Sequence, residues 1–358
     1  MFQASAEQKL RAWFRGFGFC LNVSDGIFRL DPCDNTTRSR RYRQMSMGRT
    51  ESEPERLRRG VEHVLKATSY SDDDVQELLK KVPKRWQRHG DLVILKRGAF
   101  DDHRWDPVRD RLWDVICDAL RCKRLALSGR ITDDGHRTPR VELVRGFDGW
   151  VVHVDNKIKY TFDVTKCMFS AGNVTEKLRI SNMDCRGEVV VDLFAGIGYF
   201  TLPYLLHTGA AHVHACEWNP DALEALQRNL KLNAVQDRCT VHAGDCREVC
   251  PEGVADRVNL GLIPSSAVGW QTACRALNPE RKSCWMHVHE NVESKPGAKG
   301  SEHLEERVHQ VCTTMADLMK QCHSSHSWNV TCTHIERVKS YAPHVDHVVM
   351  DLRFDQLV

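Results

Sequence analysis

The sequence predicts an α/β protein: a doubly wound, mostly parallel sheet in the C-terminal half, preceded by a smaller α+β domain. Three observations carry this expectation. From residue 188 onward, apolar runs of strand length alternate with segments of helical period, the rhythm of βαβ units. The first run, Glu188-Val189-Val190-Val191, leads straight into Asp192-Leu193-Phe194-Ala195-Gly196-Ile197-Gly198-Tyr199-Phe200, a strand, a glycine turn and a helix start in that order. A second strand, Ala211-His212-Val213-His214-Ala215-Cys216-Glu217, then ends on a carboxylate. Together these are the parts of a Rossmann-type nucleotide cradle.

The elements follow in order. Residues 1–60, rich in Ser, Arg and Glu, lack periodicity and read as a poorly ordered or atypical segment. Residues 61–180 form the α+β unit: helices at 61–68, 73–81 and 105–120, and strands at 91–95, 140–144, 150–154 and 157–162. Asp148-Gly149 and Asp155-Asn156 supply hairpin turns. Residues 181–358 form the Rossmann-like domain, with strands at 188–193, 211–217, 239–243, 256–262 and 284–289. Helices are expected at 200–207, 220–232, 267–276 and 302–321, and two last strands, 328–338 and 344–353, close the sheet.

Composition excludes several classes. The 358 residues are 41% hydrophobic and 28% charged, with no apolar run near the roughly 20 residues a membrane helix needs. Arg11, Arg15 and Asp25 interrupt the first apolar stretch, so no signal peptide is expected. The 15 cysteines contain no C-x-x-C pair and read as reduced thiols of a cytoplasmic protein. Cys322, His323 and His326 lack a second ligand pair, so no metal is expected. Net charge is only +3, but basic residues cluster at 38–60, at Lys80, Lys81, Lys84, Arg85 and Arg88, and from Arg121 to Arg145. Such clusters hold phosphate backbones or simply solvate a surface.

The cradle points to S-adenosylmethionine (AdoMet) more than to NAD. Glu217, at a strand end, suits ribose hydroxyls. Asp245, in Ala243-Gly244-Asp245-Cys246, can take the adenine amine while the Cys246 amide meets a ring nitrogen. The expected fold is therefore a class I methyltransferase-type Rossmann fold. The fourth strand ends in Gly261-Leu262-Ile263-Pro264-Ser265-Ser266, with no Asn or Asp before the proline to hold a target amine, which counts against ordinary N-methyl transfer. The polar segment from Phe169 to Arg179 reads either as a linker or as a lid bringing Ser170 and Lys177 to the donor's amino-acid end.

Cys167-Met168-Phe169-Ser170, Gly172-Asn173, Thr175-Glu176-Lys177, the glycine turn, Cys216-Glu217-Trp218-Asn219-Pro220, Leu262-Ile263-Pro264-Ser265-Ser266 and Lys339-Ser340-Tyr341-Ala342-Pro343-His344 resemble the tRNA wybutosine-synthesizing protein 2 family, relatives of the tRNA guanine-N1 methyltransferases. The likeness runs from about Val82 to the C-terminus. It implies transfer of the 3-amino-3-carboxypropyl group of AdoMet to C7 of 4-demethylwyosine, next to the anticodon of tRNA(Phe), with release of 5′-methylthioadenosine. It also implies that Ser170, Lys177, Glu217, Asp245 and Cys246 bind AdoMet and that Asp192 and Gly196 line its pocket. No catalytic base, membrane contact or obligate protein partner is implied. A guanine-N1 methyltransferase and a non-catalytic tRNA-binding partner are the competing expectations.

Overall fold

The computed structural model describes residues 19–24, 27–32, 51–129, 139–169, 173–293 and 298–357, with backbone alone for the first two segments and for 298–301. The basic residues at 38–49, Arg130, Arg137 and Ser170 lie outside the described residues. The chain divides into two compact units, Met1–Glu55 and Arg56–Val358. In the first, β1 (Phe19–Ser24) and β2 (Ile27–Pro32) pair as an antiparallel hairpin.

Helix α1 spans Glu53–Lys66, starting earlier than its apolar period suggests. Ser52 and Glu55 explain the start. The Ser52 amide donates to Glu55 at 2.9 Å and the Glu55 amide returns a bond to Ser52 Oγ at 3.4 Å, a reciprocal cap. Helix α2 (Asp72–Lys81) is capped by Ser71. A four-stranded sheet follows, ordered β3-β4-β5-β6, from β3 (Gln87–His89), β4 (Leu92–Lys96), β5 (Arg124–Ser128) and β6 (Val141–Arg145). Helix α3 (Arg109–Leu120) makes the crossover between the parallel strands β4 and β5. Both faces of these strands are covered. Val93, Leu95, Leu125 and Leu127 pack with residues of the three helices, while Leu92, Ile94 and Ala126 pack toward the larger domain. Strand β5 had no alternating pattern to reveal it, because a strand buried on both faces has none.

β7 (Trp150–Asp155) and β8 (Ile158–Asp163) form a hairpin whose turn residues Asn156 and Lys157 have φ of 47° and 65°. The sequence grouped this hairpin with the smaller domain. In the structure Val151, Ile158, Tyr160 and Phe162 share a core with Ile180, Val190, Leu202 and Leu226 of the larger one. Asn229 and Asn233 bond the β8 backbone at Thr161 and Lys159. The hairpin therefore packs with the larger sheet, in a core that Leu92, Ile94 and Ala126 of β4 and β5 also join. Helix α4 (Val174–Ser181) occupies the segment read as linker or lid.

The larger sheet is built from β9 (Val189–Asp192), β10 (His212–Glu217), β11 (Cys239–Ala243), β12 (Arg257–Leu260), β13 (Ser283–Glu293), β14 (Ser327–Ala342) and β15 (Val345–Leu357). Its order is β11-β10-β9-β12-β13-β15-β14. The first five strands are parallel and β15 and β14 add antiparallel pairs. The crossovers carry α5 (Thr201–His207), α6 (Pro220–Leu232), α7 (Cys246–Val249), α8 (Trp270–Ala276) and α9 (Ala298–Cys322). The chain leaves β9 toward β10 on one side and returns through β12 on the other. This reversal opens a crevice at the strands' carboxyl ends. No helix among the described residues is long and apolar enough to cross a membrane.

Candidate active site

A cavity of about 540 Å³ lies in that crevice. Its lining includes Gly196 and Tyr199 from the turn after β9, Glu217 and Trp218 from the end of β10, and Asp245, Cys246 and Arg247 after β11. Gly261, Leu262 and Ile263 after β12, Lys166–Met168 ahead of α4, and Lys339 and Tyr341 of β14 complete its walls.

The glycine turn is shaped by φ of 56° at Gly196 and 97° at Gly198, conformations costly for other residues. A Cβ at Gly196 would also lie 2.7 Å from the Tyr199 ring. The Gly196 amide donates to Glu217 Oε2 at 2.7 Å, and the amides of Trp218 and Asn219 donate to Oε1 at 3.0 and 2.8 Å. Burial pushes the Glu217 pKa up and these three bonds oppose it. A carboxylate offers about four acceptor positions, so about one direction, on Oε2, is left for a ribose hydroxyl. Asn219 caps α6 through the Asp221 amide at 3.0 Å, with Pro220 in the first turn.

Asp245 is the N-cap of α7 and accepts from the Arg247 amide at 2.9 Å and from Arg247 Nε at 3.0 Å. The arginine bond holds its carboxyl below the usual range, so Asp245 is an ionised acceptor in a fixed orientation. Cys246 follows it in the cavity wall.

Two expected site residues sit elsewhere. Asp192 does not line the cavity. It is fully buried, taking bonds from Thr201 Oγ1 at 2.7 Å and Asn259 Nδ2 at 3.0 Å. Its carboxylate ties the starts of the turn and of α5 to β12, and burial raises its pKa. Lys177 is also buried and is not part of the cavity lining. Its ammonium pairs with Asp155 and lies 4.9 Å from the centre of the Phe169 ring. Ser170 falls outside the described residues.

The segment before α4 is strapped over the turn. Tyr199 Oη donates to the Met168 carbonyl, Lys166 pairs with Asp221 at 3.1 Å, and Phe169 stacks on Phe162 at 5.2 Å. Sequence reasoning missed Asn173 and Lys339, which both line the cavity and bond each other at 3.1 Å. The signal available was the Lys339-Ser340-Tyr341 run itself, one of the segments that carry the family resemblance. Trp86 packs on the core of the smaller domain. His344 adopts φ of 60° in the β14–β15 turn and is not in the cavity lining.

The chain matches the family models described as the TRM5/TYW2 methyltransferase domain, over residues 151–315, and the TYW2 N-terminal domain, over residues 71–149. The junction between them falls just ahead of the β7–β8 hairpin. The tRNA wybutosine-synthesizing protein 2 homolog of Bos taurus is 48% identical over 311 residues, covering 76% of this chain and 70% of that protein. The Homo sapiens homolog is 45% identical over 317 residues, with coverages of 77% and 70%. Among solved structures, P. horikoshii TYW2 in complex with MeSAdo has a TM-score of 0.62 and 29% identity, covering 83% of this chain and 99% of that one. M. jannaschii TYW2 in complex with AdoMet has a TM-score of 0.56 and 26% identity, with coverages of 76% and 100%. The M. jannaschii tRNA m1G37 methyltransferase shares the fold, at 19% identity over 98% of this chain and 97% of that one and a TM-score of 0.58.

Proposed function

The chain belongs to the tRNA wybutosine-synthesizing protein 2 family, and on that premise we propose that it moves the 3-amino-3-carboxypropyl group of AdoMet to C7 of 4-demethylwyosine, next to the anticodon of tRNA(Phe). It is an AdoMet-dependent transferase of wybutosine synthesis. In the step proposed, C7 attacks the γ-carbon of the donor's side chain, the carbon–sulfur bond breaks with its electron pair kept by sulfur, and C7 then releases its proton to solvent. The sulfur leaves as 5′-methylthioadenosine.

A sulfonium has three electrophilic carbons, so the protein's task is aiming. Near-attack placement is worth about 7–11 kcal/mol, enough to decide which carbon reacts. Glu217 and Gly196 hold the ribose in this reading, and Asp245 with the Cys246 amide holds the adenine. Ser170 and Lys177 take the amino-acid end. Lys177, buried beside Asp155 and outside the cavity lining, has to turn its ammonium from there toward the donor's carboxylate, keeping one of its three donors on Asp155. The observation that carries the reading is the apolar wall after β12. Leu262 and Ile263 line the cavity where an amine-holding side chain would otherwise be expected.

The smaller domain supplies the RNA side of the proposal. A broad groove there is lined by Lys81, Lys84, Arg85, Lys96, Arg97 and Arg140. Among the described residues, Lys81 pairs with Asp102 and Arg97 with Glu142, while Lys84, Arg85 and Lys96 have no ion pair. Cations in an open groove suit a phosphate backbone. A cytoplasmic site of action fits free thiols such as Cys167, Cys185 and Cys216, which persist in a reducing compartment.

Mass spectrometry of phenylalanine tRNA from cells lacking the protein tests the assignment. 4-Demethylwyosine is expected to accumulate and to disappear when the gene is restored. Normal wybutosine content in the deficient cells contradicts it.

A further inference from the structure

The donor-binding residues occupy only one side of the cavity. Glu217 and Asp245 follow β10 and β11, at one edge of the seven-stranded sheet, whereas Lys339 and Tyr341 belong to β14, the strand at the other edge. The apolar residues Leu262 and Ile263, after the central strand β12, lie between. The cavity wall thus runs from residues suited to adenosine to a part formed by Lys339 and Tyr341 near the β14–β15 turn.

Local backbone explains why β14 turns these side chains inward. Its pairing with β15 shifts register between Arg337 and Lys339 and again between Ser340 and Ala342. Tyr341 is the extra residue of the second irregularity. Bulges of this kind bend a strand and re-aim side chains, and they recur beside active sites. Tyr341 keeps 45% exposure although it lines the cavity, and two other exposed residues, Trp218 and Val268, line it as well. Exposed aromatic surface at a cavity mouth is costly to leave in water and is the chemistry that receives a nucleobase. Lys339 is held by Asn173 at 3.1 Å across the same cavity.

We propose that Lys339 and Tyr341 form the acceptor-nucleotide subsite, with the Tyr341 ring stacked on the unpaired target base and the Lys339 ammonium on a flanking phosphate. This rests on the tRNA-transferase reading above and adds the residues that position the acceptor. Single-stranded RNA is gripped by this combination of a stacking ring and a backbone cation. Neither residue takes part in bond making or breaking; both are positioning residues.

The test uses the full chain with AdoMet and precursor tRNA, and reads three quantities: Kd for tRNA, Kd for AdoMet, and the rate of transfer. Tyr341→Ala is expected to weaken tRNA binding about 10-fold or more, with AdoMet Kd within two-fold of wild type. Tyr341→Phe keeps the ring and is expected to restore tRNA binding, an outcome a folding defect would not give. Lys339→Gln is expected to reduce the slope of log Kd for tRNA against log salt by about 0.7. Wild-type tRNA affinity in Tyr341→Ala, or a loss in Tyr341→Phe equal to that in Tyr341→Ala, overturns the proposal. So does weakened AdoMet binding with tRNA binding unchanged, which would move the pair to the donor side. A wild-type chain that binds precursor tRNA and AdoMet without transfer fails the transferase reading instead, and the subsite is still judged by the tRNA affinities.

Discussion

Glu217 does two things with one carboxylate. It accepts the Gly196, Trp218 and Asn219 amides, which fixes the glycine turn, and it keeps acceptor capacity facing the cavity. Glu217→Ala removes the turn's anchor together with the proposed ribose acceptor. Hydrogen bonds to a charged group are worth about 1.5–3 kcal/mol, so AdoMet affinity is expected to fall about 10- to 100-fold by isothermal titration. Unchanged affinity contradicts the role given to this residue. Glu217 was legible in the sequence because a carboxylate at a strand end beside a glycine turn has a known use. Asp192 also ends a strand beside the glycine turn but has a different fate, because it pairs in register with Ala215, two residues short of Glu217, and so lies deeper in the sheet. Its side chain meets Thr201 and Asn259, and only the fold reveals that. Lys177 was chosen for its charge, but charge alone did not tell of Asp155, brought beside it by the β7–β8 hairpin.

Helix α4 is the element least visible in the sequence. Apolar period identifies a helix only when its buried face is apolar, and here the buried residues include Glu176 and Lys177. Arg179 explains how this face is accommodated. It makes a two-pronged bond to Glu176 at 2.8 and 2.8 Å and another to Asp351 of β15 at 2.6 and 3.0 Å. His287 of β13 joins through Nδ1, 2.6 Å from Asp351, while its Nε2 lies 2.8 Å from Arg257 Nη1. Since Arg257 can only donate, the His287 proton sits on Nδ1 and the ring is neutral, consistent with burial lowering its pKa. Burial pushes the Asp351 carboxyl up, but the His287 bond and Arg179 outweigh it and hold the carboxyl well below the usual range. Removing one partner of a buried pair leaves an uncompensated charge. Asp351→Ala is therefore expected to cost about 3–5 kcal/mol in urea unfolding at neutral pH. The folded-state pKa is depressed, so the contribution is complete above the unfolded carboxyl value of about 3.9 and fades as pH falls below it. The gap between wild type and Asp351→Ala should narrow below about pH 4. A gap that is absent at neutral pH, or that widens in acid, contradicts this account of how α4 is held.

For the molecule as a whole, the alternation of apolar runs fixed the sheet and the reversal of strand order placed the cavity. The domain boundary was less legible. Composition gives no sign that the β7–β8 hairpin, covalently next to the smaller domain, shares a core with the larger one. Nor does sequence order disclose that β14, late in the chain, forms the far wall of a site begun by β9. In the reading proposed above, that wall and the basic groove of the smaller domain form the RNA-facing side, and the ends of β10 and β11 take the donor. The central claim is that this arrangement exposes the longer chain of the sulfonium, and not its methyl group, to the RNA. The direct measurement is transfer to precursor tRNA from AdoMet labelled separately in the methyl group and in the carboxypropyl chain. The account expects carboxypropyl label in the tRNA and methyl label in released 5′-methylthioadenosine; methyl label alone in the tRNA contradicts it.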